Sequence, residues 1–354
     1  MRAITVVPGT GGSASLDELP EPVPGDGELL VEGVALGVCG TDREIVAGDY
    51  GWAPPGRDRL VLGHESLGRV LEAPEGTGFA AGDLVVGIVR RPDPEPCRCC
   101  AAGAWDMCLN GRYRERGIKE LDGYGAERYA LEADFTVKLD ESLERTGVLL
   151  EPTSVVAKAW EQIERIAGRA CAPGRTALIT GAGPIGLLAA LLATQRGLDV
   201  HVLDLAEDGP KPRLAGELGA TYHAGSVADE CPEADLVVEA TGVGQVVFDV
   251  MSHTARGAIV CLTGVAATGR TISVDPGALN NELVLENDVV FGSVNAARRH
   301  YEQAAEALAR ADRAWLERLV SRRVGLDDWE EALERREDDV KVVIDLASAR
   351  SGAA

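Results

Sequence analysis

No stretch of this 354-residue chain stays apolar for long. The longest clean run, Ile185-Gly-Leu-Leu-Ala-Ala-Leu-Leu-Ala193, ends after nine residues, whereas a membrane-spanning helix needs about 20. Lysine is scarce as well: five, against 30 arginines and 57 acidic residues, which leaves a formal charge of −22. That shortage of positive charge argues against a nucleic-acid backbone or an anionic lipid surface as a partner, because like charges repel. The acids are spread along the chain and not gathered in a tail. Two origins of the arginine bias stay open, a surface suited to high salt and a GC-rich genome. No repeat of solenoid period is present. The opening Met1-Arg-Ala-Ile-Thr-Val-Val reads as a strand, without the apolar run and small-residue cleavage site of a signal peptide. The expectation is a cytoplasmic protein with reduced thiols. Four of its eight cysteines fall within residues 97–108, which in that compartment points to a metal before a disulfide.

What is present is globular. Apolar residues make up 45% and charged residues 26%, which excludes fibrous and disordered classes, and the length suits two domains at about 150 residues each. The two halves differ in texture. The first carries short β-type runs (Ala3–Val7, Leu29–Ala35, Ser66–Leu71, Leu84–Val89) separated by turn signals such as Pro24-Gly25-Asp26-Gly27, the pattern of a mostly antiparallel β domain. From Glu151 onward strands and helices alternate. Pro152–Arg169 reads as a helix, then come Thr176–Thr180, a helix over Leu187–Arg196, the strand Val200–Asp204, a helix over Lys211–Leu218, and the strands Leu236–Glu239 and Ala258–Thr263. Continuous apolar strands alternating with helices indicate a parallel sheet covered on both faces. The tail reads as helical from Arg298 through Arg336, ending in the strand Val340–Leu346, and with no long linker before it can return to the first domain.

Between the strand Thr176–Thr180 and its helix stands Gly181-Ala-Gly183-Pro184-Ile185-Gly186. In that context the glycines have separate physical duties: Gly181 permits the tight turn, Gly183 admits a pyrophosphate to the backbone, and Gly186 lets the helix approach the strand. The helix N-terminus offers free N–H groups to phosphate. Asp204, 18 residues after Gly186, ends the second strand, where a carboxylate accepts the adenosine ribose hydroxyls and repels a 2′-phosphate. NAD is therefore the expected cofactor. Lys211 and Arg213 follow closely enough to tolerate a phosphate, so NADP stays open. Thr241, Gly264, Ser293 and Asn295, with Pro184 and Ile185, complete the expected cofactor set.

His64 is the one histidine of the first 150 residues. With Cys39 upstream and a carboxylate it would make a thiolate–imidazole–carboxylate set, which suits zinc and leaves one coordination position open. Spacing alone leaves Cys39 and His64 equally readable as core residues. Cys39-Gly40-Thr41-Asp42, Gly63-His64-Glu65-Ser-Leu-Gly68, Gly82-Asp83-Leu-Val85-Val86-Gly87 and the late glycine motif together resemble the zinc-dependent medium-chain alcohol and polyol dehydrogenases. The likeness covers essentially the whole chain. Within them the chain is similar to the glucose 1-dehydrogenase branch, through Val89-Arg90-Arg91-Pro92, Gly111-Arg-Tyr113-Arg-Glu115-Arg-Gly117-Ile118, Asp122-Gly123-Tyr124, Leu150-Glu151-Pro152-Thr153-Ser154-Val155 and Leu285–Asn295.

The resemblance implies an α/β protein. A GroES-like, mostly-β catalytic domain over 1–153, completed by 296–354, would accompany a Rossmann doubly wound parallel sheet over 154–295, with the cofactor cleft between them. It implies catalytic zinc on Cys39, His64, Glu65 and Glu151, and sugar hydroxyls met by Glu115, Glu151 and Asn295. Thr41 would lie near the reacting oxygen as first proton relay. The implied reaction oxidises an aldose, best guess D-glucose at C1, to its lactone with hydride transfer to the nicotinamide. The family often adds a structural zinc on C-x2-C-x2-C-x7-C. Cys97, Cys100 and Cys108 fit its last three positions, Pro94 stands at the first, and Asp93 or Cys99 is the remaining donor if the lobe holds metal at all. Two rivals remain, a polyol, amino-cyclitol or other secondary-alcohol dehydrogenase and a catalytically silent NAD(P)-binding protein. A homodimer or homotetramer is expected, through the apolar strand Val289–Val294 pairing with its copy.

Overall fold

The computed structural model describes residues 1–171, 174–265 and 271–347. Residues 348–354, the end of the expected 296–354 completion, lie outside them. The chain forms two units. One is Met1–Glu151 with Asn295–Arg310 and Val320–Ala354, and the other is Pro152–Val294 with Ala311–Leu319.

Alternating burial organises the first unit. The strand Glu28–Val38 buries every second residue up to Ala35 and all of its last four, as a strand does when it passes from a half-covered to a fully covered position. Glu65–Glu72 lies antiparallel along one side of it. Its other side is shared by Arg128–Glu132 on the first half and Lys341–Asp345 on the second. Leu84–Gly87, Thr136–Lys138 and Val320–Gly325 complete a seven-stranded sheet. Leu29, Val31, Leu36, Val85, Tyr124, Trp329 and Val342 belong to its core.

The tail departs from the helical expectation. Helices Arg298–Arg310 and Arg313–Leu319 are followed by the strand Val320–Gly325, which runs parallel to Lys341–Asp345. Arg322 and Arg323, inside the stretch expected to be helical, lie on this strand and each holds a carboxylate, Asp339 at 2.6 Å and Asp345 at 2.7 Å. Those pairs let an edge strand carry two arginines. The stretch Ala311–Leu319 also leaves the expected first-domain completion for the second unit. The cause is Trp315, only 2% exposed, whose indole N–H donates to the Leu214 carbonyl at 2.9 Å.

The second unit is a six-stranded parallel sheet. Its spatial order is Thr221–Ala224, Asp199–Asp204, Thr176–Thr180, Ala234–Glu239, Thr254–Leu262 and Val289–Gly292. The order reverses between Thr176–Thr180 and Ala234–Glu239, the place where doubly wound sheets bind ligands beyond their strand ends. Helix Pro184–Gln195 is apolar all round and buries Gly186–Ala193 without a break, which fixes its N-terminus over that point. Among the described residues no helix is long and apolar enough to cross a membrane.

Candidate metal centre and dinucleotide loop

Register creates the first site. Gly37 pairs with Glu65 across two antiparallel strands, so the residues just beyond that pair, Cys39 and His64, emerge together from one sheet end. The Cys39 sulfur lies 3.1 Å from His64 Nε2. Cys39, His64 and Glu65 offer donor atoms all within 4.8 Å of one another. Cys39 also caps the helix Gly40–Ala47, its sulfur accepting the Thr41 N–H at 3.3 Å. In return Asp42 accepts the Cys39 N–H at 2.8 Å and lies 3.4 Å from His64 Nδ1, the arrangement that aims the other ring nitrogen at a metal. Burial opposes a charged imidazole here, yet the Cys39 sulfur and the Asp42 carboxylate outweigh it and hold His64 well above its ordinary value. Glu65 is ion-paired with Lys341, and both are almost wholly buried. Glu151 stands outside the three-donor group. Burial pushes its carboxyl up to about 7, against the pull of His64 and with the added push of Glu65. Sulfur, imidazole and carboxylate in one cluster, with Cys39 half-buried and His64 and Glu65 buried, short of a closed tetrahedron, fit a catalytic-type zinc site.

Glu115 and Asn295 also meet. Arg90 gives Glu115 Oε1 two bonds, from Nε at 3.0 Å and Nη2 at 2.9 Å, and Asn295 Nδ2 gives it a third at 2.8 Å. Arg90 itself lies 3.7 Å above the centre of the Tyr113 ring. All three of these side-chain bonds fall on one oxygen of the Glu115 carboxylate, Oε1.

In the second unit Gly181 has φ +91°, a conformation that favours glycine. A Cβ at Gly183 would meet nothing within 4 Å, whereas one at Gly186 would run into the Gly181 carbonyl oxygen. The loop is thus open where a pyrophosphate would lie and closed where helix meets strand, and Pro184 begins the helix without an N–H to waste. Gly186→Val is expected to cost about 1–3 kcal/mol through overpacking, seen as a lowered melting temperature together with weaker NADH binding in a fluorescence titration. Unchanged values for both would show that the contact does not matter. Thr241 and Gly264 adjoin the loop through Glu239, a fully buried carboxylate. Its Oε1 accepts the Thr241 N–H at 2.7 Å and the Gly242 N–H at 3.1 Å, and its backbone carbonyl accepts the Gly264 N–H at 3.1 Å. Ser293 Oγ is buried without a partner, a hydroxyl a cofactor amide would satisfy.

Cys97, Cys100 and Cys108 also offer sulfurs within 4.8 Å of one another. Backbone N–H groups of Cys100 and Leu109 draw the Cys97 thiol down, and burial pushes Cys100 up. Neither Asp93 nor Cys99 joins this group. Asp93 is committed to Asn110 at 2.7 Å, Arg112 at 3.2 Å and the Glu95 N–H at 2.9 Å. In this structure the three sulfurs form an open set, with neither Asp93 nor Cys99 in it.

Sequence reasoning missed Asp42, Arg90, Glu239 and Lys341. Two left a signal: Asp42 stands three residues after Cys39, as in a capping box, and Lys341 is one of five lysines, set within the apolar run Val340–Ile344.

Comparison with known proteins agrees with this geometry. Residues 144–346 match the family model described as glucose dehydrogenase C-terminus, and residues 25–141 match the alcohol dehydrogenase GroES-like domain. The chain is 40% identical to a glucose 1-dehydrogenase of Methanocella arvoryzae over 98% of its own length and 100% of the relative's. It is equally 40% identical to one from Thermoproteus tenax, over 98% and 99%. It superimposes with a TM-score of 0.90 on Haloferax mediterranei glucose dehydrogenase in complex with NADP, Zn and gluconolactone, at 31% identity and covering 99% of this chain and 100% of that one.

Proposed function

The chain belongs to the glucose dehydrogenase branch of the zinc-dependent medium-chain dehydrogenases, and from that premise we propose that it oxidises an aldose, D-glucose foremost, at C1 to the lactone with hydride transfer to NAD(P)+. The observation that carries this reading is the approach of the Cys39 sulfur to within 3.1 Å of His64 Nε2, with Glu65 in the same cluster.

When bound, zinc supplies Lewis acidity toward an oxygen and the oxidised nicotinamide supplies the hydride acceptor. The chain's own residues do the rest. Cys39, His64 and Glu65 hold the metal, with Glu151 as a further oxygen donor, and Asp42 fixes the His64 ring. Thr41, whose N–H is already anchored on Cys39, is the first relay for the proton released from the sugar hydroxyl. Glu115 orients the sugar through its carboxylate, held in place by Arg90 and Asn295. Gly181, Gly183 and Gly186 receive the pyrophosphate, and Asp204 the adenosine ribose. The lobe of Cys97, Cys100 and Cys108 is a three-thiolate candidate for a second zinc.

Self-association as a dimer or tetramer and work in the cytoplasm belong to the same proposal. The half-exposed edge strand Val289–Gly292 supports the first, and the acid excess supports the absence of nucleic-acid and membrane partners.

The test is a panel of aldoses, polyols and cyclitols assayed with both nucleotides. Glucose or a close aldose should give the highest kcat/KM, and preference for a cyclitol or simple alcohol overturns the substrate. Glu115→Gln is expected to lower kcat/KM for the preferred sugar about 10–100-fold, because a site built to accept hydroxyl hydrogen bonds loses about 1.5–3 kcal/mol when the charge is removed. Equal loss on simple alcohols would show that Glu115 does not read the sugar.

A further inference from the structure

The cysteine lobe carries thiol chemistry that the proposed reaction does not use. Cys97 and Cys100 form a Cys-x-x-Cys pair whose sulfurs lie 3.6 Å apart, both as free thiols. Cys108 brings a third sulfur within 4.8 Å of them. Cys97 is half-buried and Cys100 buried, so Cys97 is the sulfur that a small reagent meets first. Three sulfurs are an open set for a metal, but two adjacent ones are a complete set for a disulfide. In a reducing compartment such a bond is transient and serves redox sensing more often than architecture. A metal held by all three sulfurs would block it, so the two fates of the lobe exclude each other.

The pair is also connected to the Glu115 carboxylate. The Cys97 sulfur accepts the Cys100 N–H at 3.5 Å and the Leu109 N–H at 3.4 Å, and so ties the two ends of the lobe together. Between those ends the single turn Trp105–Met107 presents the Asp106 carbonyl, which accepts from Arg90 Nη1 at 3.0 Å. The other nitrogens of Arg90 hold Glu115 Oε1. Bond formation brings two sulfurs to about 2 Å, which draws Cys97 off the Leu109 N–H. The turn that carries Asp106 then loses its fastening, and Arg90 loses a fixed acceptor on the side away from Glu115.

We propose that Cys97 and Cys100 form a reversible disulfide that loosens the Arg90–Glu115 pair and weakens sugar binding, with a low-molecular-weight disulfide as the oxidant. In the first exchange the Cys97 sulfur attacks the reagent, forms a mixed disulfide and expels one thiol. In the second the Cys100 sulfur attacks Cys97 and expels the other. The two cysteines together lose two electrons and two protons, and the two sulfurs of the reagent leave as two thiols that have taken them up. An excess of the same thiol runs both steps backward. The bond itself depends only on the lobe; its effect on the sugar rests on the aldose reading given above.

The experiment treats the whole protein, as purified, with oxidised glutathione, then alkylates and peptide-maps it. KM and kcat for the preferred aldose are measured before treatment, after it, and after reduction with dithiothreitol. The map should show a Cys97–Cys100 disulfide with Cys108 still alkylated. KM should rise about fivefold while kcat stays within about twofold, the mark of lost ground-state binding, and both should return on reduction. Cys100→Ser should lose the KM response to the oxidant, and Cys108→Ser should keep it. Cys97 and Cys100 both alkylated after treatment, whether bare or shielded by zinc, overturn the proposal, as does a bond to Cys108 in place of Cys100. An unmoved KM, or a Cys100→Ser variant that responds as the parent does, overturns the link to Glu115. A parent that oxidises no aldose overturns the aldose reading instead, and the peptide map still decides the disulfide.

Discussion

Cys39→Ser is expected to remove the metal from the catalytic cluster and lower kcat/KM by about three orders of magnitude, with the fold intact. Serine keeps the structural duty of this position: it is among the best residues for starting a helix, and its oxygen can take over the Thr41 N–H that the sulfur now accepts. It does not keep the chemical duty, because thiolate is the soft, anionic donor of the set and a hydroxyl stays neutral at working pH. Loss of the Lewis acid withdraws several kcal/mol of charge stabilisation at the reacting oxygen, and about 4 kcal/mol corresponds to the stated loss of rate. Elemental analysis of parent and variant, set beside their sugar oxidation rates and circular dichroism, checks each part. Unchanged turnover would remove the cluster from the reaction, and an unfolded variant would show that the cysteine serves mainly as core.

The parts of this molecule that were legible in the sequence are those where local pattern and long-range structure agree. The alternation through Leu29–Ala35 marks a strand because one of its faces is covered. The glycines at 181, 183 and 186 can be read because turn, ligand approach and packing act over six neighbouring residues. Cys39 and His64 were individually indistinguishable from core residues, since what unites them is the Gly37–Glu65 register, a property of two strands and not of either. The strand Val320–Gly325 was hidden for a related reason. It lies within a stretch that reads as helical, and what fixes it as a strand is its pairing with Lys341–Asp345 and the hold of Asp339 and Asp345 on its two arginines. Asp204 is legible as the acid at a strand end, but its ion pair with Lys211 depends on a side-chain geometry that no spacing encodes.

Lys341→Met is expected to destabilise the metal-free protein by about 3–5 kcal/mol, because it strands a buried carboxylate. Lys341 is 1% exposed and Glu65 2%, so their ion pair is screened by almost no water. Removing one member of such a pair costs far more than the pair itself contributes, since the remaining charge has lost both its partner and its solvation. The chain gives up side-chain volume elsewhere to seat the pair. A Cβ at Gly37 would collide with the Glu65 carboxylate and come within 3.0 Å of Lys341 Cε, so glycine is needed there for space. The ammonium also donates to the Val38 carbonyl at 3.1 Å, which ties the C-terminal strand Lys341–Asp345 to the strand leading into Cys39. A thermal scan reads the effect as a fall of about 10 °C in the unfolding of the first unit. Adding Glu65→Gln to Lys341→Met removes the orphaned charge and should recover most of that fall, whereas two losses that simply add would show that the lysine acts through packing and not through its charge. The same cycle separates two duties of Glu65. The double variant should regain stability yet bind zinc more weakly than the parent, because the amide that relieves the buried charge is also a poorer zinc donor than the carboxylate it replaces.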